Sequence, residues 1–301
     1  MAIRYNHGDC VQFQKTSVAL GTFDGLHTAH MKVINKAISY AKQEKIQCGI
    51  LMFDNIPKNV LYKEKVPMIM NLNDAISLLP ELDFVYVEKF DKSFYEKSPE
   101  EFVSYLKNTI KAMNVCVGFN FRFGKNASGD ADLLKKLCDK EEINVFIQDK
   151  QQCEGEIISS TTIRKLLLNG DMKGACKLLG RPFFIKGAVC HGFQNGHKMG
   201  IPTANITPQE DIVCPKTGVY SGICVVDGQD YKSVINVGNN PTFGNKNTTI
   251  ECHLLGFDGD LYNKEITIYF TDYIRDEICF KTPQMLAQQI SKDIEFVQRE
   301  S

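Results

Sequence analysis

No apolar run in this chain approaches the roughly 20 residues that a membrane-spanning helix needs, and residues 1–10 are polar where a signal peptide would be apolar. A cytoplasmic chain without a membrane partner is the expectation. Charge of one sign is also lacking. Lys and Arg number 35 against 36 Asp and Glu, so nothing in the net charge of −1 calls for a nucleic-acid partner. The 11 cysteines form no Cys-x-x-Cys pair and no Cys/His cluster at zinc spacing. Most, such as Cys48, Cys116, Cys176 and Cys224, fall inside apolar patterns. Buried free thiols in a reducing compartment account for them better than metal or disulfide roles. No internal repeat and no low-complexity linker is present. What remains is an ordinary globular composition, 43% hydrophobic and 24% charged, and 301 residues give room for two cores.

The first half alternates between two periodicities. Strand patterns cover 17–20, 46–53, 84–88, 115–117 and 144–148; helical patterns fall near 28–44, 72–79, 99–113 and 131–141. The third helix opens with the capping box Ser98-Pro99-Glu100-Glu101, proline at its first position. Such alternation predicts a parallel sheet covered on both faces, with ligands beyond the carboxyl ends of the strands. After helical patterns at 161–168 and 172–179 the periodicity changes near Gly180. Short β-rich runs follow at 183–190, 218–226, 231–237, 248–255 and 265–271, with the hairpin signal Asp227-Gly228 between two of them. Only 283–299 returns to a helix, with Met285, Leu286, Gln289, Ile290 and Ile294 along it. The expected architecture is an α/β domain, residues 1–180, followed by an antiparallel β-barrel domain with a C-terminal helix, residues 181–301.

Three stretches of the first half carry chemistry. Gly21-Thr22-Phe23-Asp24-Gly25-Leu26-His27-Thr28-Ala29-His30 lies between a buried strand and a helix. Gly21 and Gly25 allow a sharp bend, the helix start offers unpaired N–H groups, and His27 and His30 can share one face. It reads as a site for nucleotide phosphates, or as an ordinary strand–helix turn with a capping histidine. Residues 118–130 hold Gly118-Phe119-Asn120-Phe121-Arg122-Phe123-Gly124-Lys125-Asn126. A P-loop has four residues between Gly and Gly-Lys and then Ser or Thr; here there are five, and Asn126 follows. A ligand loop with aromatic faces and a structural loop are the two readings. Ile158-Ser159-Ser160-Thr161-Thr162-Ile163-Arg164 places hydroxyls before a helix and an Arg in its first turn, as an N-cap or as phosphate ligands.

The second half has its own glycine-rich run, from Gly187 through His191, Gly192, Gly196, His197, Gly200 and Ile201 to Pro202-Thr203-Ala204-Asn205. Such a loop can wrap backbone N–H groups around phosphates. In an extended segment Thr203 and Asn205 point to one side, a fit for Mg²⁺ that keeps several waters. Glu251 and His253, in Ile250-Glu251-Cys252-His253-Leu254-Leu255, also share a side, toward ligand or toward solvent.

Taken together these stretches resemble the bacterial bifunctional riboflavin kinase/FMN adenylyltransferase (FAD synthetase) family, in the family's order and over essentially the whole chain. The resemblance implies a Rossmann-like nucleotidyltransferase domain and then a kinase barrel. ATP and Mg²⁺ would serve both steps, riboflavin becoming FMN and FMN becoming FAD. In the first half it gives His27, His30 and Arg164 catalytic roles, without a covalent intermediate, as FMN phosphate attacks the α-phosphate of ATP. It assigns Gly21, Phe23, Asp24, Gly25, Ser159, Ser160 and Thr161 to ATP, and Asn120 and Phe123, the latter as a stacking face, to flavin. In the second half it assigns Gly187, His191, Gly192 and Gly196 to ATP and Thr203 and Asn205 to the metal. Glu251 becomes the general base and Arg275 a flavin-side support. The chain departs from the family at Ala29, His197, Ile201 and Cys279, and reads Phe53-Asp54-Asn55-Ile56-Pro57 where the family has Phe-Asp-Pro-His-Pro. The rival readings are a riboflavin kinase whose first half has lost its catalysis, and a flavin-binding regulatory protein.

Overall fold

The computed structural model describes residues 2–61, 65–190, 203–240 and 247–299. The chain divides into two compact units, Met1–Ser160 and Thr161–Ser301.

In the first unit the elements run β1 (Ile3–Asn6), β2 (Thr16–Leu20), α1 (Thr28–Glu44), β3 (Gln47–Phe53), α2 (Pro57–Leu61), α3 (Leu72–Leu78) and β4 (Phe84–Glu88). They continue with α4 (Lys92–Tyr95), α5 (Pro99–Asn108), β5 (Ala112–Gly118), β6 (Arg122–Phe123), β7 (Gly129–Asp130), α6 (Ala131–Lys140), β8 (Asn144–Gln148), β9 (Gln152–Cys153) and β10 (Glu156–Ile157). Six strands form one sheet in the order β1-β4-β3-β2-β5-β8, every neighbouring pair parallel. β2 is buried at all five positions because helices cover both faces. Its two hydroxyls are satisfied inside, Ser17 Oγ donating to the Ala37 carbonyl (2.8 Å) and Thr16 Oγ1 to that of Ile110 (2.9 Å). From β2 the chain winds to β3 and β4 on one side, then returns to lay β5 and β8 on the other. The order therefore reverses between β2 and β5, and a crevice opens there beyond their carboxyl ends.

The capping box at Ser98 forms as expected, both of its reciprocal bonds present. The helix it starts is shorter than its apolar spacing predicts. It ends at Asn108, Lys111 turns left-handed (φ 57°), and Ile110 and Ala112 are buried on the way into β5. β1 has no legible pattern in sequence; it is a four-residue edge strand, mostly exposed, paired only to β4.

The second unit carries α7 (Ser160–Asn169, its first residue closing the first unit), α8 (Met172–Leu179), β11 (Phe183–Ala188), β12 (Ala204–Ile206) and β13 (Gly218–Val226). It continues with β14 (Gln229–Asn240), β15 (Asn247–Leu254), β16 (Glu265–Arg275) and α9 (Pro283–Arg299). The sheet is antiparallel throughout, in the order β11-β16-β13-β14-β15-β12. Asp227 (φ 49°) and Gly228 (φ 80°) supply the two left-handed residues of a tight β13–β14 hairpin. The sheet curls until its two edges meet at one bridge, where the Cys190 N–H donates to the Asn205 carbonyl at 2.8 Å. Gly187 allows that approach, since a Cβ there would lie 3.2 Å from the Ile206 side chain. Alternate residues fill the interior: Tyr220, Cys224, Ile235, Ile250, Cys252, Ile268 and Phe270 are all fully buried. By compactness α7 and α8 group with this sheet. The Lys216 N–H donates to the Leu167 carbonyl of α7, and Lys173 of α8 pairs with Asp272 of β16.

Candidate active sites

The turn after β2 has a tightly constrained backbone. Within four residues Phe23 (φ 49°), Gly25 (φ 83°) and Leu26 (φ 40°) are all left-handed. A Cβ on Gly25 would meet the Ile69 side chain at 2.8 Å, so glycine is required there twice over. Asp24 is buried and ties the turn to a neighbouring segment, its Oδ1 accepting the Ile69 N–H at 2.8 Å. Phe23 is buried too, its ring filling the space beside Gly21 and lying edge-on to His30 at 5.3 Å between centroids. Only the backbone of Phe23 can therefore face a phosphate.

His27 is the N-cap of α1, its Nδ1 accepting the His30 N–H at 3.2 Å. An accepting Nδ1 carries no proton, so the proton of the ring sits on Nε2, where it can be donated to an anionic oxygen. The His27 and His30 rings stack at 3.5 Å, nearly parallel. Burial, and then the neighbouring His27, holds the His30 imidazole well below its usual range, so it is neutral. Its Nδ1 is covered and has no hydrogen-bond partner. An orphaned polar atom beside a helix start suits a ligand that completes it.

The loop after β5 opens at the same crevice, since β5 is the parallel neighbour of β2. Asn120 is exposed, its Oδ1 folded back toward Gly118. Phe123 does not offer the stacking face expected of it. Its ring is buried against Phe102 (5.0 Å) and beneath Gly129, where a Cβ would clash at 2.5 Å. Phe121, half-buried and nearly parallel to Phe123, and Phe119, 45% exposed, are the aromatic rings with open faces. The third stretch is stitched to the first: Ser160 Oγ donates to the Asp24 carbonyl at 2.9 Å across 136 positions of sequence. Ser159 precedes α7 and is half-buried, Thr161 is exposed in its first turn, and Arg164 follows, half-buried, in the second compact unit.

In the second unit the strand register assembles one row. Asn205 of β12 pairs with Glu251 of β15, Glu251 with Asn236 of β14, Asn236 with Val219 of β13, and Val219 with Arg275 of β16. Directly opposed residues share a face. Ile250 and Cys252 face the interior, so this row faces outward. Glu251 is half-buried, and burial raises its carboxyl above the usual range, which makes the carboxylate a better base. Thr203 and Asn205 lie just beside it, the Asn205 amide donating to the Thr203 carbonyl at 3.4 Å. Their oxygens are hard and neutral, and no group of three His, Cys, Asp or Glu side chains suited to a metal occurs among the described residues. That donor set fits a magnesium ion that arrives with a nucleotide and keeps its waters.

Arg275 is otherwise engaged: its guanidinium grips Asp293 of α9 through Nε (3.1 and 3.2 Å) and a terminal nitrogen (2.7 Å). It pins the C-terminal helix to the sheet, so any support it gives a flavin is indirect. His191, Gly192 and Gly196 lie outside the described residues. Asn236 was not singled out by its own chemistry in the sequence. Its place beside Glu251 comes from pairing between strands.

Comparison with known proteins agrees with both halves. A profile described as FAD synthetase matches residues 10–162, and one described as riboflavin kinase matches 179–300. A bifunctional riboflavin kinase/FMN adenylyltransferase of Listeria monocytogenes is 35% identical over 92% of this chain and 89% of its own. That of Bacillus subtilis is 35% identical over 93% and 90%. A crystal structure described as a macrolide-efflux protein from Streptococcus pneumoniae superposes with a TM-score of 0.91 at 28% identity, covering 99% of this chain and 100% of that one. Efflux finds no counterpart here in a membrane-crossing helix, since none among the described residues is long and apolar enough. With full-length identity at this level and both profiles falling on the halves that carry the two sites, the chain belongs to the bifunctional riboflavin kinase/FMN adenylyltransferase family.

Proposed function

We propose that residues 181–301 phosphorylate riboflavin to FMN and residues 1–180 adenylylate FMN to FAD with release of pyrophosphate, ATP serving both steps. The observation that carries this reading is the coincidence of each family match with a site whose groups suit its half-reaction. In the adenylylating half FMN phosphate attacks the α-phosphate of ATP, so the protein must position two anions and stabilise charge. The Nε2–H of His27, the start of α1 and neutral His30 supply donors and shape at the crevice between β2 and β5. Gly21, Gly25 and the Phe23 backbone bring the turn close to the phosphates, and Asp24 holds it through Ile69 and Ser160. Ser159, Thr161 and Arg164 bind phosphate oxygens, Ser160 adding only its backbone N–H because its hydroxyl is given to the Asp24 carbonyl, and Asn120 with the Phe121 or Phe119 ring receives the flavin.

In the kinase half Glu251 takes the proton of the ribityl hydroxyl as that oxygen attacks the γ-phosphate of ATP. Its raised basicity supports the role. Thr203 and Asn205 would hold Mg²⁺, which when bound neutralises phosphate charge. Gly187, His191, Gly192 and Gly196 are assigned to the ATP phosphates of this half. A cytoplasmic location belongs to the same proposal; all 11 cysteines are free, five of them buried. Incubation with riboflavin, ATP and Mg²⁺, followed by chromatography of the flavins, is the test. FMN should form first and FAD after it. Unchanged riboflavin overturns the kinase assignment; FMN that accumulates without FAD overturns the other.

A further inference from the structure

The first unit buries a carboxylate that the chemistry above does not use. Glu88 is the last residue of β4 and is 1% exposed. Three donors converge on its carboxylate: Nδ1 of His7, the Tyr105 hydroxyl and, at 3.1 Å, the N–H of Lys89. Burial, and then the Glu88 carboxylate, raise the Tyr105 phenol well above its usual range, so it stays protonated and donates. His7 follows β1 and Tyr105 lies on α5, so one side chain ties three elements together. The backbone of the same residue reaches the ligand edge. The Glu88 carbonyl accepts the Asp54 N–H at 3.1 Å, and Asp54 Oδ1 accepts the Phe90 N–H at 3.1 Å. Phe53, which ends β3, lies edge-on to Phe90 (5.0 Å) and Phe94 (5.4 Å), and Phe94 edge-on to Tyr105 (5.8 Å). Residues 54–57 therefore take their position from the end of β4.

We propose that Glu88 is a positioning residue for FMN adenylylation: its anchored carboxylate fixes the end of β4 and, through Asp54, the segment that leaves β3 toward the nucleotide. The inference rests on the adenylylation reading of this half. β3 is the parallel neighbour of β2, so residues 54–57 leave the sheet at the same carboxyl edge as the turn that carries His27 and His30. Stability alone does not call for a carboxylate at this place. A buried carboxylate gives up its hydration, and an apolar side chain of similar volume often serves stability as well or better. What the carboxylate adds is direction. Three fixed donors leave it one orientation, whereas an aliphatic side chain would let the end of β4 settle in several.

The charged groups close by in sequence are turned to other partners. Lys89 pairs with Asp91 at 3.7 Å, Arg4 reaches Asn73 at 2.9 Å, and Asp9 accepts the Asn6 N–H at 2.7 Å. The orientation of Glu88 is thus set by His7, Tyr105 and the Lys89 backbone.

The test is FMN adenylylation by the full-length chain at varied ATP, with riboflavin phosphorylation of the same sample as the control for folding. The double variant Glu88→Leu/Tyr105→Phe removes the carboxylate together with the buried phenol that it would leave unpaired. Its unfolding temperature should equal or exceed that of the parent, while KM for ATP rises about tenfold and kcat holds. Its Asp54 amide should also exchange hydrogen with solvent faster than in the parent. Glu88→Gln, which keeps an acceptor for the phenol, should recover most of the parent KM. A folded double variant with the parent KM for ATP overturns the proposal, and so does a KM raised equally in Glu88→Gln. Should the double variant not fold, His7→Ala, at a half-exposed position, decides in the same way. A parent chain that makes no FAD removes the adenylylation reading itself and this role with it. A parent that makes FAD, with an unmoved KM in the variants, removes only the role of Glu88.

Discussion

At the scale of the residue, His30 is a titratable group held out of water by its neighbours. Its ring packs on His27 and Phe23 and its Nδ1 is covered. Folding therefore lowers its affinity for a proton. Above the unfolded value near 6.5 both states hold it neutral and nothing is lost; as pH falls below that, the unfolded chain takes up a proton that the folded chain refuses. Unfolding temperature should drop as pH falls from about 6.5 toward the lowered folded value. His30→Gln, which cannot titrate, should flatten that slope. An equally steep slope in the variant would show that another group is responsible. Residue scale is also where the sequence misled about Phe123. Phe121 and Phe123 are two apart, Phe123 in β6 and Phe121 just before it, and nothing in a pattern of alternate aromatics says which is the buried one. The density of Phe102 and the bare Cα of Gly129 decide it.

Elements differ in how much of them can be read from the chain. β2, β3, β4 and β5 are legible because burial on both faces demands continuous apolar runs, whereas β1 and β12 are edge strands of four and three residues that lean on a partner. The C-terminal helix is legible as a helix, but its anchor is not: the Arg275–Asp293 pair joins positions 18 apart that no local period relates. Asp293 is 3% exposed, so Asp293→Ala leaves a cation facing a site without its counter-charge. The expected loss is about 3 kcal/mol, read by denaturant unfolding, with the β14 face of α9 released. Just after β3 the chain has Ile56 where the motif that it resembles has a His. β3 is a parallel neighbour of β2, so this position follows a strand end on the ligand edge. Ile56→His should leave riboflavin phosphorylation unchanged and raise adenylylation, or at least not lower it. A charge-assisted hydrogen bond there is worth on the order of 1.5–3 kcal/mol. A fall in FAD formation would show that Ile56 is adapted to its own site.

For the molecule as a whole, the two sets of groups belong to two stretches of sequence, and the two activities should be separable by single substitutions. Glu251→Gln keeps shape and removes the base, so FMN formation should collapse while added FMN still becomes FAD. Arg164→Ala should do the reverse. Loss of both activities in a folded Arg164→Ala protein would speak against separate sites. Motif order made this organisation readable from sequence alone, because glycine turns, capping hydroxyls and strand-borne carboxylates are local features. The Asn205–Glu251–Asn236 row was not readable. It exists only once β12, β15 and β14 have chosen their registers, and a shift of one residue would send every member to the other face.

Asn205 also closes the curled sheet, its carbonyl accepting the Cys190 amide where the two edges meet. One residue thus joins the seam of the barrel to the pocket in which phosphate would be handled. Any ligand that steadies the Asn205 side chain must also steady the seam, and the link is visible in time rather than in position. The Cys190 amide should exchange its hydrogen with solvent at a rate set by how often the seam parts. Nucleotide with Mg²⁺ should slow that exchange in proportion to its binding free energy, by about a hundredfold when ligand stands at 100 times its dissociation constant. An amide that exchanges equally fast in either state would mean that the seam opens without disturbing the site.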